Sequence, residues 1–148
     1  MKFGWINLFG AAIVVLMLIP NIIYAVKNKD EKNLCTNKLM NIIEQAGRYA
    51  CIVLMWLPLL VWEFGFKSVN DMLTYVLVNC ALIISYWLMF ARYFKKKTKH
   101  TALTLAIIPS MIFTFSALLL RHWLLLAFAV VFAVGHNYVT NENAKALQ

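Results

Sequence analysis

The sequence predicts an all-α integral membrane bundle of five transmembrane helices, with the amino terminus outside and the carboxyl terminus in the cytoplasm. The 148 residues are 63% hydrophobic and 14% charged, whereas soluble domains average about 45–50% apolar and about 25% charged residues. The apolar residues form runs long enough to cross about 30 Å of hydrocarbon. The basic residues lie mainly in alternate connections between these runs.

The predicted spans cover approximately residues 3–26, 42–62, 72–93, 101–120 and 123–140, within a single domain of residues 1–148. Trp5 lies where an interfacial aromatic side chain would anchor the first span. Pro20, Pro58 and Pro109 each lack a backbone donor and are expected to kink their helices. Only a very short turn separates the last two spans. A single helix through both would be about twice as long as the hydrocarbon is thick, so we expect two helices.

A basic segment from Arg92 to His100 determines the predicted orientation. Five of its nine residues are Lys or Arg. A charge at the bilayer centre costs about 2.5–3.5 kcal/mol on insertion scales, so this segment must stay in water. The positive-inside rule places it in the cytoplasm, together with the lysine-rich connection after the first span. The segments assigned to the outside carry Lys2, Lys67 and Arg121.

Several classes of protein are excluded by the residues present. The net charge of +8 does not indicate a nucleic-acid partner, because the basic residues form no continuous polar face. We expect no cofactor, no metal and no disulfide, since the histidines are scattered and Cys35, Cys51 and Cys80 form no Cys-x-x-Cys pair. An enzyme is not expected, because no nucleophile, base and orienting group occur together.

Polar side chains inside the predicted spans are the candidates for function, because an unpaired polar group in hydrocarbon is costly. Most of them fall in the cytoplasmic half, where we expect a polar pocket open to the cytoplasm. The candidate ligand-binding residues are Asn21, Tyr24, Glu44, Arg48, Asn79, Tyr86, His136 and Asn137. The alternative is that they join neighbouring helices by hydrogen bonds, which contribute about 0.6 kcal/mol each on average.

Three of these candidates carry or can acquire charge. Glu44 and Arg48 are one helical turn apart, in the order that favours an ion pair. Arg48 either neutralises an anionic group of a ligand or lipid, or extends toward the headgroups while paired with Glu44. His136 is either a proton relay or ligand contact, since histidine changes charge near neutral pH, or an interfacial residue that caps its helix.

The pattern as a whole favours a small multi-pass protein of the cell membrane that binds or transports a small molecule or lipid. The alternative is a non-transporting accessory or regulatory subunit of another membrane protein. Membrane lipids are expected partners, and a small-molecule ligand, a second copy of the chain or another membrane protein are the further alternatives. A contiguous polar cavity would favour the first function, and a filled bundle with a small-residue groove facing lipid would favour the second.

Overall fold

The computed structural model describes residues 6–57, 59–61 and 65–147. Over these ranges the chain forms five α-helices and one short 3-10 helix, which confirms the all-α prediction. The helices are α1 (Leu8–Lys27), α2 (Lys38–Trp56), α3 (Val69–Lys95), α4 (Lys99–Leu119) and α5 (Trp123–Ala144), followed by the 3-10 helix Lys145–Leu147. The expectations for Trp5 and Pro58 lie outside the described residues.

Capping side chains explain why two helices begin before the predicted spans at residues 42 and 72. The side chain of Asn37 accepts a hydrogen bond from the Met40 N–H at 3.2 Å, and α2 therefore begins at residue 38. The Ser68 hydroxyl accepts the Asp71 N–H at 3.1 Å and begins α3 in the same way. Each cap satisfies one N–H that has no partner within the helix. At its other end, α2 stops at Trp56, before the predicted residue 62.

Four of the helices are long and apolar enough to cross a membrane, which supports a multi-pass membrane protein. They are α1, α3, α4 and α5 with its 3-10 extension. The sequence predicted five spans, but α2 does not belong to this group. Lys38, Asn41, Glu44, Gln45 and Arg48 all lie within α2 and lower its mean hydropathy. The packing of α2 in the bundle therefore depends on whether its polar side chains find hydrogen-bond or ion-pair partners.

The five helices form a ring in the order α1, α2, α5, α4, α3. Each helix packs against the next, and α3 packs back against α1. At one end of the ring, Lys97 Nζ donates to Asn28 Oδ1 at 2.9 Å, and the Leu34 N–H donates to Asn143 Oδ1 at 2.7 Å. We call this the lysine-rich end because it carries Lys27, Lys29, Lys32, Lys38, Lys95, Lys96, Lys97 and Lys99.

Two glycines allow α2 and α5 to approach each other closely. A Cβ atom at Gly135 would lie 2.7 Å from the backbone nitrogen of Glu44, and one at Gly47 would lie 2.7 Å from the Cα of Phe132. The pairing of Glu44 with Gly135 and of Gly47 with Phe132 makes the two helices antiparallel. Small residues promote such close packing in membranes, where lipid supplies no hydrophobic force between helices.

The opposite end of the ring is closed by the start of α1 and by the segment before α3. The Asn7 N–H donates to the Trp56 carbonyl at 2.8 Å, and the Asn7 side chain also caps α1. Phe66 packs against both Phe9 and Tyr75, with ring centroids 5.8 Å and 5.1 Å apart. These contacts join α1, α2 and α3 at this end and leave little room between them.

The turn between α4 and α5 is as short as the sequence predicts. Arg121 adopts a left-handed conformation with φ 52°. Its N–H donates to the Leu118 carbonyl at 3.1 Å, and the His122 N–H donates to the Ala117 carbonyl at 2.9 Å. This pair of bonds is the Schellman motif, which ends many helices. His122 Nδ1 then accepts the Leu125 N–H at 3.2 Å and begins α5.

We expect Gly135→Ala to destabilise the fold, even though alanine favours a helix more than glycine does. The added Cβ meets backbone atoms of Glu44, which move only if α2 shifts as a whole. The free energy of unfolding should fall by about 1–3 kcal/mol, measured by denaturant unfolding in one fixed lipid or detergent. Val134→Ala is the matched control, because Val134 is 55% exposed on the same turn. Equal losses in the two variants would contradict a critical α2–α5 contact.

Candidate functional site

A cavity of about 580 Å³ lies inside the ring and extends to the lysine-rich end. Its walls come from α1, α3, α4 and α5, and residues 28–37, which connect α1 to α2, cross its mouth. The sequence predicted a polar pocket at this end of the bundle. The lining is in fact mixed, because aromatic, small apolar and polar side chains alternate around it.

Aromatic side chains from α1 and α3 form one wall of the cavity. They are Tyr24, Tyr86, Phe90 and Tyr93. The rings of Tyr86 and Phe90 pack edge to face with centroids 5.0 Å apart, and those of Tyr24 and Tyr93 are 5.6 Å apart. The facing wall from α4 and α5 carries Ala102, Ala106 and Ala144. Larger side chains of the same two helices complete this wall: Leu105, His136, Thr140 and Asn143.

An amide and a hydroxyl join α1 to α3 at the cavity wall. Asn21 Nδ2 donates to the Tyr86 hydroxyl at 2.9 Å and to the Met17 carbonyl at 2.7 Å. Met17 lies one turn before Asn21, in the helix that contains Pro20. The Asn21 amide is therefore held by its own helix and directed at α3. This contact fixes Tyr86 on the cavity wall.

A buried carboxylate anchors the cavity side of α5. Glu44 is only 5% exposed, yet Oε1 lies 2.8 Å from His136 Nδ1 and forms an ion pair with Arg48. The α2–α5 crossing at Gly135 brings the α2 backbone close enough for Glu44 to reach His136. Burying a carboxylate without a partner would be prohibitively costly, so Arg48 and His136 together make its burial tolerable.

The orientation of His136 follows from this contact. An ionised Glu44 can only accept hydrogen bonds, so Nδ1 carries the proton that is donated to it. The imidazole ring stacks on Phe132, with centroids 4.7 Å apart and an interplanar angle of 15°. His136 also lines the cavity. Its second nitrogen, Nε2, is therefore not engaged by Glu44.

The connection between α1 and α2 is held across the mouth of the cavity by polar contacts with neighbouring side chains. Glu31 accepts a hydrogen bond from the Tyr24 hydroxyl, and Lys97 Nζ lies 3.2 Å from both oxygens of the same carboxylate. Lys97 also lies over the rings of Tyr24 and Tyr93, at 5.1 Å and 5.9 Å from their centroids. Cation–π contacts of this kind add to the ion pair. One lysine thus holds the connection against α1 and α3.

Four of the eight predicted site residues line the cavity: Asn21, Tyr24, Tyr86 and His136. Glu44 and Arg48 act from α2, where Glu44 holds His136 and Arg48 holds Glu44. The remaining two candidates lie elsewhere and are not brought to the cavity.

Asn79 and Asn137 have other surroundings. Asn79 is fully buried nearer the closed end, where it donates to the Tyr75 carbonyl at 2.9 Å and accepts from Ser116 at 3.3 Å. It lies seven residues before Tyr86, or about 10 Å along the helix. Asn137 donates to the Ala133 carbonyl at 2.7 Å and faces a shallow groove between α4 and α5. It follows His136 directly, and a rotation of about 100° turns it away from the cavity.

Sequence reasoning missed several residues at the mouth. Lys29, Glu31, Lys32 and Asn143 line the cavity, but they fall outside the predicted spans. Their sequence context shows only a polar connection and a polar tail. The single usable signal was the placement of Tyr24 and Tyr93 at the ends of two spans, where a lysine from a neighbouring connection can cover their rings.

The described part of the chain does not group three or more His, Cys, Asp or Glu side chains in a way that could hold a metal ion. Cys35, Cys51 and Cys80 are free thiols. The cavity offers hydrogen-bonding groups, aromatic faces and lysine side chains. This set can bind an organic molecule by shape, by apolar contact and by charge.

No family of known proteins, no curated protein and no solved structure matches this chain.

The contact between Glu44 and Arg48 can be measured by a double-mutant cycle. Glu44→Ala and Arg48→Ala should each lower the free energy of unfolding, because each leaves one charge without its partner. The double variant should lose less than the sum, with a coupling of about 0.5–3 kcal/mol. Since the Arg48 side chain is 36% exposed, we expect the lower part of this range. The control is a parallel cycle of Arg48→Ala with Gln45→Ala, because Gln45 is an exposed neighbour of Glu44, and its two losses should add. If the losses also add for Glu44 and Arg48, these two residues do not interact energetically.

Proposed function

We propose that this chain is a five-span protein of the cell membrane that binds or transports a small molecule or lipid in the cavity. The observation that carries the proposal is the cavity of about 580 Å³ at the lysine-rich end. Ligand sites are typically concave spaces of about 300–1,000 Å³ with mostly apolar walls and a few placed polar groups. The aromatic and alanine walls with Asn21, Tyr86 and His136 fit this description.

The accessory-subunit alternative receives less support from the same observations. A protein that acts only through its outer surface has no need of a cavity held open by buried polar contacts. Glu44 and Asn21 are committed to holding His136 and Tyr86 in place on the lining. Buried polar groups of this kind are costly in a membrane and often belong to a functional site.

The proposal includes α2 as the fifth span, for two reasons. Its 19 residues measure about 28 Å, close to the hydrocarbon thickness. It also packs antiparallel against α5, which is apolar enough to span. The charges that lower its hydropathy are matched within the bundle, because Glu44 pairs with Arg48 and His136. Lys38 lies at the first turn, where it can reach the headgroups.

The proposed orientation puts the lysine-rich end in the cytoplasm. That end gathers the lysines of the α1–α2 and α3–α4 connections, whereas Lys67 and Arg121 belong to the opposite connections. The positive-inside rule associates such an excess of Lys and Arg with the cytoplasmic side. The cavity would then open to the cytoplasm.

Cysteine labelling tests this orientation. In a background with Cys35, Cys51 and Cys80 replaced by serine, a cysteine introduced at Lys96 should react with a membrane-impermeant maleimide only after the cells are opened. A cysteine introduced at Lys67, in the connection before α3, is the matched control and should react in intact cells. The reverse pattern would overturn the orientation and place the cavity outside.

Blocking the cavity tests the binding function. The probe is pyrenebutanol, a neutral molecule with a flat aromatic body. Its saturable binding to the protein in phosphatidylcholine nanodiscs is measured by equilibrium dialysis, and binding to nanodiscs without protein is subtracted. Ala25→Trp places an indole at the cavity lining and should weaken binding at least about tenfold, since the ring occupies the space of the ligand. Val26→Trp, at the next and 58% exposed position, should leave binding unchanged. Failure of the unmodified protein to bind above the nanodisc background would count against the function.

A further inference from the structure

We propose that the ligand of this cavity is an amphipathic organic anion, with its apolar body inside the ring and its anionic group between Lys29 and Lys32. The inference rests on the proposed binding function and adds the chemical class of the ligand. It depends on the distribution of charge between the inner part of the cavity and its mouth.

The inner part of the cavity suits an apolar and preferably flat body. Tyr86 and Phe90 present aromatic surfaces on one side, and Ala102 and Ala106 leave a smooth apolar surface on the other. Aromatic faces bind flat apolar groups through contact area and ring stacking. The α4 wall is apolar throughout, because it consists of Ala102, Leu105 and Ala106.

The inner charges do not favour an anionic group there. Glu44 lies behind His136 and already accepts the imidazole N–H and pairs with the Arg48 guanidinium, so the inner end has no free positive charge for an anionic group. An anionic group therefore has its favourable position at the mouth, while the inner end accepts an apolar or hydrogen-bonding group beside His136.

The mouth carries two lysines that no acidic side chain neutralises. Lys29 and Lys32 both line the cavity, and the ion pairs found among the described residues involve neither of them. Glu31 lies between them in sequence, but its carboxylate is taken by Lys97 and the Tyr24 hydroxyl. Asp30 is exposed and does not belong to the lining. The mouth thus has an uncompensated positive charge that attracts an anion.

The same distribution of charged side chains disfavours a cationic ligand. Glu31, which lines the cavity, is engaged by Lys97, and Glu44, which lies behind His136, is engaged by Arg48 and His136. A cation would have to displace one of these partners and would also face Lys29 and Lys32. An anion meets both lysines without breaking an existing pair.

A matched series of probes tests the charge preference. Pyrenebutyrate, pyrenebutanol and pyrenebutylamine share one aromatic body and differ in charge, and each is measured by dialysis against protein in phosphatidylcholine nanodiscs. Pyrenebutyrate should bind most tightly and pyrenebutylamine most weakly. The double variant Lys29→Gln/Lys32→Gln should weaken pyrenebutyrate about two- to thirtyfold, as expected for two solvent-exposed charge pairs. It should leave pyrenebutanol unchanged.

The control removes the same charge elsewhere at this end. Lys95→Gln/Lys96→Gln changes two exposed lysines that do not line the cavity, and it should leave all three affinities unchanged. If both double variants weaken pyrenebutyrate binding equally, the loss of affinity comes from the overall surface charge and not from Lys29 and Lys32. That result would overturn the inference. If pyrenebutanol binds and pyrenebutyrate binds no better, the anion inference fails while the binding function stands. If none of the three binds saturably, the binding function itself fails.

The anion can be a soluble molecule or a membrane lipid, and a second experiment distinguishes these two sources. Nanodiscs that contain phosphatidylglycerol are compared with those of phosphatidylcholine alone, with neutral pyrenebutanol as the reporter. A lipid that enters the cavity displaces pyrenebutanol, whereas repulsion at the charged surface does not affect a neutral probe. Displacement that is lost in Lys29→Gln/Lys32→Gln supports an anionic lipid as occupant. Absence of displacement, together with tight binding of pyrenebutyrate, supports a soluble amphipathic anion.

Discussion

The buried carboxylate of Glu44 is the interaction on which the bundle and its cavity depend. A carboxylate inside a membrane protein is tolerated only with partners, and Arg48 and His136 supply them from α2 and α5. The two glycines at the α2–α5 crossing bring the backbones close enough for this contact. The same contact gives a polar helix its place in an apolar ring and directs His136 at the cavity. Stability and site geometry are therefore coupled through one side chain.

The two ends of the ring differ because different elements close them. At the opposite end, Asn7 ties the start of α1 to the end of α2, and Phe66 fills the space beside Tyr75. At the lysine-rich end, residues 28–37 lie across the mouth and are held by side-chain contacts with Tyr24, Asn41, Lys97 and Asn143. Contacts made by exposed side chains are weaker than buried packing. The mouth is consequently held by weaker contacts than the closed end.

The sequence predicted the features that depend on local spacing. Hydropathy located the four apolar helices, and the four-residue interval predicted the Glu44–Arg48 pair. Features that depend on rotation and on helix neighbours were predicted less well. Asn137 adjoins His136 in sequence but faces a different groove. The ring order places α2 beside α5. The residue periodicity of a single helix does not indicate which helix will be its neighbour. The connection across the mouth is held by contacts between residues more than 60 positions apart, which no local pattern encodes.

A ring of five helices encloses central space, and side-chain size decides whether that space is filled. Toward the closed end, Met55, Tyr75, Ile112 and Phe113 are almost completely buried and fill the centre. Toward the lysine-rich end, α4 and α5 supply three alanines at inner positions, Ala102, Ala106 and Ala144, beside larger side chains such as Leu105. Helices in lipid are held by packing and hydrogen bonds and not by a hydrophobic force, so loose packing at this end needs compensation. The Asn21–Tyr86 and Glu44–His136 contacts provide it by joining helices across the wall of the cavity. The polar residues thus hold open the space that the alanines create.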